Sequence, residues 1–123
     1  MITMSEEQFL LYVQTSDDFE RQFSPLILAQ TAKAMDIGAK IYYLGQGLRI
    51  LKGDTAEKIK AGTFGSVQEN IQKCLEMGIE ILVCEASKQM LGWDKVELPE
   101  GLKIVGAGTL NDLVLKSAGT MWF

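Results

Sequence analysis

The chain has 123 residues, 47% of them hydrophobic, and a formal net charge of −4. This suits a single domain, residues 1–123, whose core needs neither a disulfide staple nor a structural metal. An acidic chain lacks the electrostatic footprint of a nucleic-acid or anionic-membrane binder, and the absence of histidine removes Ser-His and Cys-His pairs and histidine acid-base work.

Met1 to Gln8 carries Glu6 and Glu7, and no basic residue precedes Arg21. That is not the pattern of a signal peptide, and no apolar run reaches the length of a membrane span. The expected location is the cytoplasm, where two cysteines ten positions apart do not suggest a disulfide framework.

Phe9 to Thr15 is an apolar run of strand type that ends at Ser16-Asp17-Asp18, read as a solvated helix entry. Ser24-Pro25 predicts a helix start, with Leu28, Ala29, Ala32 and Met35 at helical spacing and Gly38 as the stop. Ile41 to Leu44 is the second strand and runs into Gly45-Gln46-Gly47. Gly53 to Gly65 reads as a loop with a short helical turn. Ser66 followed by Glu69 matches a capping box, opening a helix with Val67, Ile71, Cys74 and Leu75 on one face and Gly78 as its end.

Ile79 to Val83 is the third strand, with Cys84 directly behind it and a short helix running on to Leu91 and Gly92. Trp93 to Gly101 is turn-rich. Leu102 to Val105 is the fourth strand, followed by Gly106-Ala107-Gly108 and a helix with Thr109 as its expected N-cap. Thr120 to Phe123 has room only for a short edge strand. Strands alternate with helices, and the strands are continuous apolar runs, so both sheet faces must be covered. The expected fold is a three-layer α/β sandwich around a mostly parallel sheet.

Ligands of such sheets bind beyond the carboxyl ends of the strands, here Thr15-Ser16, Gly45 to Gly47, Cys84-Glu85 and Gly106 to Thr109. Cys84 is the one strong nucleophile among them. A thiol at a strand-to-helix junction meets unpaired N–H groups and the positive end of a helix dipole, both of which favour the thiolate. Lys88 adds a positive charge one turn on, and Glu85 opposes it. Cys74, on the apolar face of its helix, reads as core. The same core reading stays open for Cys84 on these grounds alone.

Gly106-Ala107-Gly108 follows a strand and opens a helix, but Asn111 stands where a dinucleotide fingerprint needs its third glycine. No Walker lysine follows any glycine pair. A plain turn with N–H groups able to hold an anion is the better reading there and at Gly45-Gln46-Gly47. The apolar Met121-Trp122-Phe123 reads as packing or as the cover of a subunit interface.

Three stretches together, "SPLILAQTAKAMDIGAKIYYLGQGLRILK", "CEASKQMLGW" and "LPEGLKIVGAGTL", resemble the DsrE/DsrF/TusD-like family of small sulfur-relay proteins, and within it the DsrE-like branch sometimes labelled peroxiredoxin-like. The resemblance implies a flavodoxin-like parallel sheet of about five strands with helices on both faces. It implies an intracellular persulfide carrier, a sulfurtransferase-like protein whose sulfur-bearing cysteine maps onto Cys84. Sulfur donors and acceptors, proteins or small thiols, and homo-oligomers, often trimers or hexamers, come with it. No cofactor or metal is implied. Anion stabilisation is expected from the backbone at Glu85, Ala86, Gly106, Gly108 and Gly45. The peroxiredoxin-like label lacks its own chemistry: no threonine stands three residues before either cysteine. The alternatives are a small-anion or nucleotide-binding module and a structural oligomer subunit without thiol chemistry.

Overall fold

The computed structural model describes residues 8–123. Met1 to Glu7, part of the stretch read as free of a signal sequence, lies outside the described residues. Five strands, β1 (Phe9–Gln14), β2 (Gly38–Tyr43), β3 (Glu80–Cys84), β4 (Lys103–Val105) and β5 (Gly119–Trp122), pair in parallel throughout. Their order is β4-β3-β2-β1-β5. The α/β architecture is the expected one. Its connectivity runs outward from β1 to β4 and then returns to the far side of β1, so the switch point lies between β1 and β5. In the flavodoxin order 2-1-3-4-5 it lies between β1 and β3.

Five helices connect the strands: α1 (Phe23–Ala34), α2 (Thr55–Lys58), α3 (Val67–Glu76), α4 (Glu85–Met90) and α5 (Ala107–Lys116). Side chains alternate across each strand, so register sorts them into two cores. On one face Tyr12, Ile41, Tyr43, Ile81 and Val83 pack with Leu26 and Ala29 of α1 and Ile71 and Cys74 of α3. On the other Leu11, Val13, Tyr42, Leu82 and Cys84 pack with Leu110 and Leu113 of α5. Both faces of the central strands are dry, which is why those strands read as unbroken apolar runs.

At the amino ends of the strands, Glu80 accepts from Lys40 (3.2 Å) and Lys103 (3.3 Å), tying β2, β3 and β4 together. Burial works to raise the Glu80 carboxyl, but the two lysines outweigh it and hold the group below its ordinary range. The charged end and the Cys84 end of β3 therefore lie at opposite edges of the sheet. Among the described residues no helix is long and apolar enough to cross a membrane.

Several boundaries differ from the sequence reading. The first helix begins at Phe23, with Gln22 as N-cap, so Pro25 lies inside the first turn and Ser24 does not cap. It ends with Asp36 in the left-handed conformation (φ 60), which Asp adopts more readily than most residues. Gly38 is thereby free to start β2, where a Cβ would stand 2.6 Å from the carbonyl oxygen of Gln8. The last helix begins at Ala107 with Gly106 as N-cap, not at Thr109, whose N–H already bonds to the Gly106 carbonyl (3.1 Å).

Candidate functional site

Cys84 closes β3 in an extended conformation (φ −72, ψ 117) and is the N-cap residue of α4. It shares a sheet face with Leu82, and Tyr42, which pairs with Leu82 in register, lies on that same face from β2. The cysteine is buried, 2% exposed. One turn on, Ser87 is buried as well, and its hydroxyl oxygen accepts the N–H of Gly45 at 2.8 Å. Tyr42 donates its hydroxyl proton to the Gly106 carbonyl at 3.3 Å. The ends of β2, β3 and β4 are thus linked around Cys84.

Burial acts to raise the Cys84 thiol, but the nearby hydroxyls of Ser87 and Tyr42 and the N–H groups of Ser87 and Ala86 outweigh it and bring the group below its ordinary value. All four donors are neutral. The charges of Lys88 and Glu85, expected to compete here, are not among the causes. The Lys88 amine instead donates to the Asp94 carbonyl (3.4 Å), and the Glu85 carboxylate accepts from Gln89 (3.5 Å). Tyr42 is held neutral: burial raises its hydroxyl, and the neighbouring Cys84 raises it further.

Cys74 is the contrasting thiol. Its Sγ donates to the Leu26 carbonyl at 3.6 Å. Burial pushes it up to about 11, with a hydrogen bond from Gln30 only partly offsetting that. It is a core residue, as its place on the apolar face of α3 suggests.

Of the residues singled out from the sequence, Ala86, Gly45 and Gly106 converge with Cys84. Ala86 lies in the first turn of the helix that Cys84 opens, Gly45 gives its N–H to Ser87 in the same helix, and Gly106 takes the proton of Tyr42, which shares the Cys84 face of the sheet. Glu85 is exposed at the start of α4, and neither its charge nor its N–H is among the influences on the thiol. Gly108 is exposed in the first turn of α5 and has open space where a Cβ would stand. The loop after β1, with Thr15 and Ser16, folds on itself: Gln14 takes up the Arg21 carbonyl and the Ser16 N–H, and Gln22 takes up the Ser16 and Asp18 carbonyls. Sequence reasoning missed Tyr42 and Ser87. The signals were there, in the three-residue spacing from Cys84 to Ser87 and in the alternation that sets Tyr42 on the Cys84 face. Among the described residues, no cluster of Cys, Asp and Glu is arranged to hold a metal ion.

Residues 8–123 match the DsrE/DsrF-like family. The chain belongs to this family. An uncharacterised protein of Methanocaldococcus jannaschii is 27% identical over 123 residues, 98% of this chain and 44% of that protein, so the chain spans less than half of that curated relative. Among solved structures, the ychN protein of E. coli superposes with a TM-score of 0.77 at 15% identity, covering 94% of this chain and 99% of its own. A conserved protein of unknown function from Bacteroides thetaiotaomicron gives 0.74 at 20% identity, covering 99% and 100%. One from Methanobacterium thermoautotrophicum gives 0.67 at 13% identity, covering 91% and 97%. These likenesses establish that the DsrE-like domain here has their fold.

Proposed function

We propose that this DsrE-like domain carries sulfur as a persulfide on Cys84. The observation that supports this is the pairing of a strand-end thiol brought below its ordinary value with a second thiol pushed up to about 11. Of the two, Cys84 is the one whose surroundings favour the thiolate. The Cys84 thiolate attacks the outer sulfur of a donor persulfide, R–S–SH. The S–S bond of the donor breaks, R–S⁻ leaves, and Cys84–S–SH remains. An acceptor thiolate then attacks the same outer sulfur, which regenerates the Cys84 thiolate and forms the acceptor persulfide. No electrons are gained or lost overall, and no histidine base is required when the attacking thiol is already ionised.

The surroundings suit this traffic. Ala86, next but one to Cys84, and Gly106, at the end of the neighbouring strand, are exposed, and a Cβ at Gly106 would meet no obstacle. The proposal includes donor and acceptor thiols, on proteins or small molecules, and a homo-oligomer of trimeric or hexameric form. The exposure of Trp122 (55%) and Leu115 (84%) supports self-association.

The test is intact-protein mass spectrometry after incubation with polysulfide, on wild type, Cys84→Ser and Cys74→Ser. The expected result is a sulfur adduct on wild type and Cys74→Ser and none on Cys84→Ser. An adduct retained by Cys84→Ser, or none on wild type, overturns the reading.

A further inference from the structure

The carrier chemistry needs the Cys84 sulfur to touch a donor, yet the residue is 2% exposed. Some part of its cover must move. Two side-chain hydrogen bonds fasten the elements beside it. On one side the Gly45 N–H gives to the Ser87 hydroxyl of α4 at 2.8 Å. On the other the Tyr42 hydroxyl gives to the Gly106 carbonyl at 3.3 Å, which is long for an O–H···O bond and the weaker of the two. Tyr42 reaches that carbonyl by crossing β3. It stands on β2 level with Leu82, and Gly106 follows Val105, the β4 partner of Cys84. Tyr42, Leu82 and Cys84 belong to one core face, so the tyrosine passes over the face of β3 that carries the thiol.

The far end of this link is thinly held. β4 is an edge strand of three residues, and its last pair is Val105 with Cys84. Of α5, which follows, Leu110 alone is buried. A Cβ would meet nothing at Gly106 or Gly108, so no packing against either glycine resists a shift of the turn. We propose that the turn from Gly106 to Gly108 is a gate over Cys84, and that Tyr42 is the positioning residue that latches it through the Gly106 carbonyl. The purpose of the gate rests on the carrier reading; its opening does not. On opening, the Tyr42 hydroxyl and the Gly106 carbonyl both pass to water. The carbonyl keeps the Thr109 N–H (3.1 Å), so the turn lifts with its own backbone bond intact. The cost is one neutral hydrogen bond and a few apolar contacts, which makes this a local event well below global unfolding.

The experiment is iodoacetamide alkylation of wild type and Tyr42→Phe, read by peptide mass spectrometry so that Cys84 and Cys74 are followed separately. It is run on the alkaline plateau of the Cys84 profile, where a change in ionisation no longer alters the rate. Tyr42→Phe keeps the ring and removes the latch. Cys84 is expected to react about five-fold faster, the worth of one net hydrogen bond, while Cys74, in the other core, is unchanged. An unchanged Cys84 rate overturns the gate, and so does an equal acceleration of both thiols, which is general loosening. Should Tyr42→Phe not fold, wild type in low urea decides. Opening one turn exposes little surface, so the Cys84 rate should stay flat while the Cys74 rate climbs with global unfolding. A Cys84 rate that climbs in parallel with that of Cys74 overturns the gate. A faster Cys84 in Tyr42→Phe with no polysulfide adduct on wild type would sink the carrier reading and leave the gate in place. An adduct with an unchanged Cys84 rate would do the reverse.

Discussion

The Cys74 sulfur lies between the Leu26 carbonyl (3.6 Å) and the Gln30 amide (3.8 Å), with no water-exposed surface. Its folded-state value of about 11 stands above the ordinary value near 9. The folded protein therefore keeps this proton after the unfolded chain has released it. Stability is fully present below the unfolded value and is lost as pH rises toward 11, by about 3 kcal/mol at about 1.4 kcal/mol per unit. Urea unfolding at pH 7 and pH 11 should show wild type losing about that much more than Cys74→Ala. Equal losses would mean that the thiol ionises as readily folded as unfolded. Glycines provide a second residue-scale test. A Cβ at Gly47 would collide with the Gln14 carbonyl oxygen, part of the backbone at the end of β1, whereas one at Gly106 would meet nothing. Gly47→Ala should cost about 1–3 kcal/mol, and Gly106→Ala, which replaces only an N-cap glycine, less than about 1 kcal/mol, both read from denaturant midpoints.

Helix α3 shows what local chemistry makes legible. Ser66 accepts the Glu69 N–H at 3.0 Å, the cap expected from the spacing, and Gly78 follows the helix at φ 80. Ser66→Ala should cost about 1 kcal/mol by chemical denaturation, because the N–H left behind lies at a largely buried helix end. The strands were legible for the same kind of reason, since burial on both faces writes itself as an apolar run. Elements decided by tertiary contact were not. Gly38 looks like a helix stop but is demanded by the nearby Gln8 carbonyl, and Asp36 ends the helix instead. The candidate site divides along the same line. Cys84 was visible from its place behind an apolar strand. Ser87 and Tyr42 left only a spacing and an alternation in the sequence, and placing them beside Cys84 took the register of β2 against β3 and the Gly45 contact.

Across the whole sheet, β1 is a central strand with β2 on one side and β5 on the other. The second junction is fastened by Thr15, whose N–H (2.7 Å) and hydroxyl (2.8 Å) both donate to the Phe123 carbonyl, and by the Phe123 N–H on the Val13 carbonyl (2.8 Å). Removing residues 119–123 turns β1 into an edge, with Leu11, Tyr12 and Val13 beside unpaired backbone. Such an edge is a template for pairing with other chains. Light scattering should show the truncated protein aggregating at concentrations where the intact chain does not; equal scattering would mean that β5 merely decorates the sheet. The same arrangement sets a timetable for the ribosome. Of the five strands β1 is the first made, yet its second neighbour cannot arrive until residues 119–122 have followed. Until residues 119–122 emerge the nascent chain must hold a buried strand half-paired, and their arrival converts an open template into a closed junction.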